Sequence, residues 1–338
     1  MKKIFILLVM TVLTSASAAV CAVMMTTHGS VWAVTAVLNS RMNRPEITYD
    51  SASGSLSSGL VMKGLKINGF DFHSYQGAAS ADQLMMTAKL SLRNIPVRIE
   101  AEGVSLAVEG VFEAAKIRHI KFQDSRLDLE QIKVHNFSRI KGDNTAAVDE
   151  LHIRLPLQES ASITAEKTAL ETPFGDIQVE KITAGSARAE LEEIEISRSM
   201  YLGSEPTAQI QKVKVSEPFD WKHITSVENG RLRMIESDTI LFYGTNQNGQ
   251  LNFNFYSKSV ELEPLLSSVR PLTGVTAAVG DADINLTGTA DDAEVTGNFI
   301  IQYLAYRRFY LAGDPSVQLN LRLKPIEGKL DLTGQAEL

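Results

Sequence analysis

From Ile47 onward, apolar and polar side chains take turns. Leu84, Met86, Ala88, Leu90 and Leu92 alternate with Met85, Thr87, Lys89, Ser91 and Arg93, and Ile95, Val97, Ile99 and Ala101 with Pro96, Arg98 and Glu100. The pattern returns in Leu151, Ile153, Leu155 and Leu157, in Leu251, Phe253 and Phe255, in Ile284 and Leu286, and in Val317, Leu319, Leu321 and Leu323. Successive side chains of a strand point to opposite faces, so each set predicts a strand with one apolar and one wet face. This is the signature of antiparallel sheets, since buried parallel strands are apolar on both sides. Asn68-Gly69, Glu102-Gly103, Glu109-Gly110, Gly142-Asp143-Asn144, Asn229-Gly230, Asn248-Gly249, Gly280-Asp281 and Glu327-Gly328 stand between runs and predict turns. They recur irregularly, without the fixed period of a propeller or solenoid. Helical spacing is rare. Val260, Leu262, Leu265 and Leu266 predict a short helix over 259–268, closed by Pro271, while Lys181–Ile196 suits a helix or a hairpin equally. With aromatic residues at 7% and about every second strand position polar, a curved, extended sheet with an apolar inner face suits the chain better than a compact core.

The first forty residues differ. Lys2 and Lys3 precede a run without formal charge that lasts until Arg41. Ile4–Met25 is long enough to span a bilayer, which takes about 20 apolar residues, and the two lysines would hold its start inside. Ala16-Ser17-Ala18 also resembles a leader-cleavage site. The apolar character continues through Val20, Val23 and Met25, which favours an uncleaved anchor. Val20 before Cys21 makes a poor lipoprotein site. Ser30 is placed to cap a short helix with Val31, Val34 and Leu38 on one face and Trp32 suited to a membrane boundary; Pro45 ends it.

Composition removes several classes of function. Thirty-three basic and 40 acidic residues give a net charge of −7 without a clustered basic face, so nucleic-acid binding has no electrostatic support. The single cysteine, Cys21, excludes a disulfide framework or a cysteine zinc site within the chain. His28, His73, His119, His135, His152 and His223 lack metal-ligand spacing, and no phosphate-binding glycine loop or nucleophile elbow occurs. The Asp291-Asp292, Glu192-Glu193 and Asp281/Asp283 pairs read as solvated rims rather than a calcium or glycosidase site. No catalytic residue, metal site or cofactor is expected. Tyr303, Tyr306, Arg307, Arg308, Phe309 and Tyr310 form an aromatic-basic patch suited to lipid headgroups or a protein partner.

The stretch Gly54-Ser55-Leu56-Ser57-Ser58-Gly59-Leu60-Val61-Met62-Lys63-Gly64-Leu65-Lys66-Ile67 resembles the opening strands of the AsmA-like/TamB-like envelope family. Near the end, Leu262-Glu263-Pro264-Leu265-Leu266, then Gly280–Thr289, Val295-Thr296-Gly297 and Leu330-Asp331-Leu332-Thr333-Gly334 are similar to that family's short helix and glycine-punctuated strands. These phrases cover about a third of the chain and are matters of glycine and alternating leucine, which other curved β proteins share. The resemblance implies a signal anchor or transmembrane helix over 1–27, a connector helix over 28–45, a β-groove body over 46–250 and a helix-plus-strands region over 251–338. It implies a mostly β protein, an elongated, curved antiparallel sheet, single-pass in the inner membrane with its body in the periplasm. Its implied role is non-enzymatic: phospholipid transport between inner and outer membrane, or outer-membrane assembly, with acyl chains, the inner membrane and an outer-membrane protein as partners. Leu84, Met86, Leu90, Leu92, Leu319, Leu321 and Leu323 would line the groove, with Lys89, Arg93, Gln318, Asn320 and Arg322 outside; without the resemblance, the same residues read rather as a sandwich core packed against a second sheet. About a dozen to fifteen strands at roughly 4.8 Å would give a groove on the order of 60–70 Å, short of crossing an envelope unaided. Two alternatives remain open: a subunit of a secretion apparatus, similar to the inner-membrane component of type II secretion, and an exported carbohydrate-active enzyme on a β scaffold.

Overall fold

The structure is a computed structural model, and it describes residues 24–42, 45–72, 75–88, 97–154, 163–198, 207–217, 223–233, 239–247, 249–258, 260–261, 275–289, 291–306, 309–313, 316–326 and 329–337. The protein is mostly β, and every described strand pairing is antiparallel. Contacts divide it into two units, Met1–Pro156 and Leu157–Leu338.

The first unit contains α1 (Thr27–Arg41) and strands β1 (Glu46–Thr48), β2 (Ser51–Ser53), β3 (Leu60–Phe72), β4 (Tyr75–Ala88), β5 (Val97–Val108), β6 (Phe112–Gln123), β7 (Arg126–Phe137) and β8 (Thr145–Arg154). The short β1 and β2 both pair with β3, and β3 to β8 then follow one another as an open meander. Asp124 and Ser125, with φ of 51° and 62°, turn β6 into β7 as a two-residue hairpin loop of matching twist. Buried Asn144 holds the next turn, its amide donating to the carbonyls of Phe137, Ile140 and Gly142.

The second unit runs β9 (Ile163–Thr172), β10 (Gly175–Ala184), β11 (Arg188–Ser197), β12 (Thr207–Ser216), β13 (Ile224–Arg233), β14 (Thr239–Gln247), β15 (Gln250–Ser257), β16 (Val260–Glu261), β17 (Val275–Thr289), β18 (Asp292–Tyr306), β19 (Phe309–Ala312), β20 (Ser316–Ile326) and β21 (Lys329–Glu337). β15 and β16 share one side of β17, and β19 and β20 share one side of β18. The ambiguous stretch 181–196 is a hairpin of β10 and β11. Of the helix expected over 259–268, Val260 and Glu261 are strand, and 262–268 lies outside the described residues.

Strict alternation does not survive to the middle of most strands. From β3 to β8 a polar or glycine doublet interrupts it: Lys63-Gly64, Asp82-Gln83, Glu102-Gly103, Arg118-His119, Glu130-Gln131 and Asp149-Glu150. In the second unit β9 to β13 carry Glu166-Lys167, Glu180-Lys181, Glu192-Glu193, Gln211-Lys212 and Glu228-Asn229. Apolar positions change parity there, as from Leu127 and Leu129 to Ile132 and Val134. Where both neighbours carry the interruption opposite one another the register does not slip: His119↔Glu130 and Ile117↔Ile132 flank an unbridged pair. Between β13 and β14, which lacks such a doublet, it shifts between Val227 and Gly230. In alternate strands one doublet residue has left-handed backbone: Gly64 (62°), Gly103 (60°), Gln131 (50°), Lys167 (49°), Glu193 (49°) and Asn229 (49°). Without this reversal, half of each strand would turn its apolar side chains to the wrong face. Such irregularities bend a strand and increase its twist, and here they lie in a line across the sheet of each unit.

Three predicted turns are therefore not turns. Glu102-Gly103 lies within β5 and Asn229-Gly230 within β13, where the same tolerance of positive φ serves the reversal, and Asn68-Gly69 lies within β3, where the register with β4 shifts between Ile67 and Phe70. Gly280-Asp281 is likewise inside β17, where the register with β18 shifts between Val279 and Ala282.

Residues 1–23, which hold most of the expected anchor, are outside the described residues. Among the described residues no helix is long and apolar enough to cross a membrane. α1 is capped by Thr26, whose side chain accepts from Gly29 N, and not by Ser30. Ser30 is buried instead, where its hydroxyl accepts from Leu56 N at 2.9 Å.

Candidate apolar binding face

The ladders of the first unit set apolar residues side by side. One row is Met62, Leu84, Ala101, Ile120, Leu129 and Leu151, and the next is Leu60, Met86, Ile99, Phe122, Leu127 and Ile153. Across the line of reversal the same face continues with Val104, Ile117, Ile132 and Val148. Ala115, Val134 and Ala146 follow. On β6 to β8 these four rows contain no hydrogen-bonding side chain.

Over β3 this face is covered. Val34 of α1 is buried against Leu60, Met62, Leu65, Ile67 and Phe70, with Val31, Leu38 and Met42 packed around them. Leu60 and Met62 have no exposed surface. Polar ties fix the cover at both ends. Thr27 Oγ1 donates to Gly54 O at 2.6 Å, Ser57 N to Met24 O at 2.9 Å and Ala88 N to Leu56 O at 2.7 Å; at the other end Asp71 N donates to Met42 O at 3.3 Å. Over β6 to β8, Ile117, Ile120, Phe122, Leu127, Leu129, Ile132, Val134, Val148, Leu151 and Ile153 are all only half-buried.

In the second unit Val179, Ile194, Val213 and Val227 are buried in one cluster that straddles the line of reversal, with Ile182, Leu191, Ile210, Phe242 and Phe253 around it. Phe242 and Phe255 stack at 6.3 Å, and the face runs on through Ile284, Gly297 and Leu319, and in the next row through Phe253, Leu286, Val295 and Leu321.

Of the residues expected to line a groove, Leu84 and Met86 lie on the apolar face but pack against the cluster under α1. Leu319 and Leu321 are half-buried on the apolar face of the second unit, opposite exposed Gln318, Asn320 and Arg322. Leu323 pairs with Ala293 through its backbone, its side chain lying outside the described residues, as do Leu90 and Leu92 together with Lys89 and Arg93. Sequence reasoning marked Leu151 and Ile153 of β8 as strand but passed over the apolar face of β6 and β7, because each strand changes phase at its doublet; the signal was there in phrases such as Ile117-Arg118-His119-Ile120 and Val148-Asp149-Glu150-Leu151.

In the aromatic-basic patch, Tyr306 pairs with Phe309 and Tyr303 with Ala312. Phe309 and Tyr310 are 83% and 69% exposed, and Tyr303 is half-buried. Arg307 and Arg308 are outside the described residues, as is the Tyr306 side chain.

The outer face carries the charges. His152 Nδ1 lies 2.7 Å from Asp128, which also accepts from Arg126 Nε at 2.7 Å, while His119 lies 3.6 Å from Glu130. Burial pushes the Asp128 carboxyl upward, but the Arg126 and His152 hydrogen bonds outweigh it, so its pKa falls below the ordinary carboxylate value. Of the acidic pairs, Glu192 accepts an ion pair from Lys212 at 3.2 Å and Asp292 accepts from Arg322 Nε at 2.6 Å. Among the described residues no three histidine, cysteine or acidic side chains could hold a metal ion. A concavity of about 730 Å³ at the strand ends is lined by Phe70, Gly77, Val108 and Phe112, with the carboxylates of Asp71, Glu109 and Glu113 also in its lining.

This is an open antiparallel β protein, and over β6 to β8 its first unit carries an apolar face. No family model, no curated protein and no solved structure matches the chain.

Proposed function

We propose that this chain is a non-enzymatic, membrane-anchored protein of the bacterial envelope that shelters phospholipid acyl chains in a groove, serving lipid transport between membranes or outer-membrane assembly. The observation that supports this most is the contiguous patch over β6 to β8, where bulky aliphatic and phenylalanine side chains stay half-buried and no side chain asks for a hydrogen bond. A sheet bent along its line of reversals, with this face inside, makes a trough. An acyl chain suits it, because it offers methylenes and needs no polar partner. About ten sheltered methylenes at about 0.8 kcal/mol each supply roughly 8 kcal/mol, before the losses of association are subtracted. The uncharged run before Arg41 and the resemblance to AsmA-like proteins add the membrane and the envelope to this reading.

Mass spectrometry of the purified full chain tests it. Phospholipid should co-purify with the natural sequence and be lost from Leu129→Asp, which places a charge in the middle of the patch. Lipid-free natural protein contradicts the proposal.

A further inference from the structure

The trough has an occupant of its own at one end. α1 lies over β3, in one buried cluster with residues on both sides of the line of reversal: Leu60 and Met62 on one, Leu65, Ile67 and Phe70 on the other. Its ties to Gly54 and Ala88 at one end and to Asp71 at the other fasten it along β3. The tie at Ala88 runs through Leu56, whose N–H donates to buried Ser30 of α1. Between its cap and Arg41 the helix carries no formal charge, so what fills this end of the face is an apolar rod about 10 Å across.

We infer that α1 is a fixed end wall over β3, and that the lipid-binding segment of the first unit lies beyond it and includes β6 to β8. The inference rests on the acyl-chain reading above and narrows it. Leu60 and Met62 have no surface left to offer, whereas the aligned Ile120, Leu129 and Leu151 do. An acyl chain reaching β3 would have to displace Val34 and break the buried Ser30–Leu56 hydrogen bond. An acyl chain over β6 to β8 would meet neither of these contacts. Leu84 and Met86, half-buried and packed against the cluster under α1, then stand at the edge of the wall.

The test is photolabelling of the full chain in which leucine and methionine are replaced by diazirine analogues of nearly the same shape, which spares the fold. After irradiation with phospholipid, acyl adducts are expected on Leu127, Leu129 and Leu151. Leu60, Met62 and Leu65 should instead crosslink to the peptide of α1, which also reports that photolysis worked. Acyl adducts on Leu60 and Met62 at the frequency of Leu129 overturn the end wall while leaving lipid binding intact. Crosslinks within the chain without any lipid adduct overturn the acyl-chain reading and this inference with it.

Discussion

β3 and β6 to β8 are built alike, each strand carrying apolar residues on one face and a doublet at its middle, yet they differ in what lies on that face. On β3 the side chains disappear beneath α1, and Leu60 and Met62 reach zero exposure. On β6 to β8 residues of the same kind, in the same rows, stay half-exposed. The lesson is that amphipathic strands define a surface, and the covering element decides whether that surface is a core or a site. One chain contains both outcomes, so each region serves as the control for the other.

Cutting into each region separates them most sharply. Leu60→Ala leaves a cavity under α1 and should cost about 3 kcal/mol, whereas Leu129→Ala, half-exposed already, should cost about 1 kcal/mol. Urea midpoints compare the two; equal losses would mean that β7 is covered as tightly as β3. Next in size is Gly103→Val. Gly103 has φ of 60°, and a Cβ there would stand 2.0 Å from Asp82 Oδ2, so about 2 kcal/mol should be lost. Gln131→Ala, at the matching place in β7, already has its Cβ accommodated and should cost under about 0.5 kcal/mol.

Much of this fold was legible in the chain. Alternation through Val317, Leu319 and Leu321 marked β20 because that strand keeps one phase, and Val97, Ile99 and Ala101 marked the start of β5. Phase reversal hid the rest. A glycine or asparagine that takes positive φ looks the same in a hairpin as in the middle of a strand, so Glu102-Gly103 and Asn229-Gly230 read as turns. Only the pairing of Leu106 with Ala115, far beyond Gly103, shows that β5 continues. The packing of Leu84 and Met86 against the cluster under α1 was equally hidden, since it depends on where α1 docks. Ser30 illustrates this: its hydroxyl looks like a helix cap in sequence and is a tertiary link to Leu56 in the fold.

Smaller changes sharpen the contrast between cover and bare face. Ser30→Ala leaves the buried Leu56 N–H unpaired and should cost about 1.5 kcal/mol by thermal or urea unfolding, loosening α1 without touching β6 to β8. The smallest effect expected is on the outer face of the bare region. Asp128 has its folded pKa lowered by Arg126 and His152, so it stabilises the fold above its unfolded pKa near 4 and loses that contribution as pH falls through the folded value. Asp128→Asn should therefore cost about 0.5 kcal/mol at neutral pH, with the difference vanishing in acid. A difference that persisted at low pH would rule out the carboxylate as its source.

The most direct measurement sets neighbouring residues against each other. With Cys21→Ser as background, a fluorophore on cysteine at position 129 faces the apolar side of β7, and one at position 130 faces the outer side. Phospholipid carrying a nitroxide on its acyl chain should quench the first and leave the second bright. Equal quenching at both positions, or none at either, would contradict an acyl-chain site on this face.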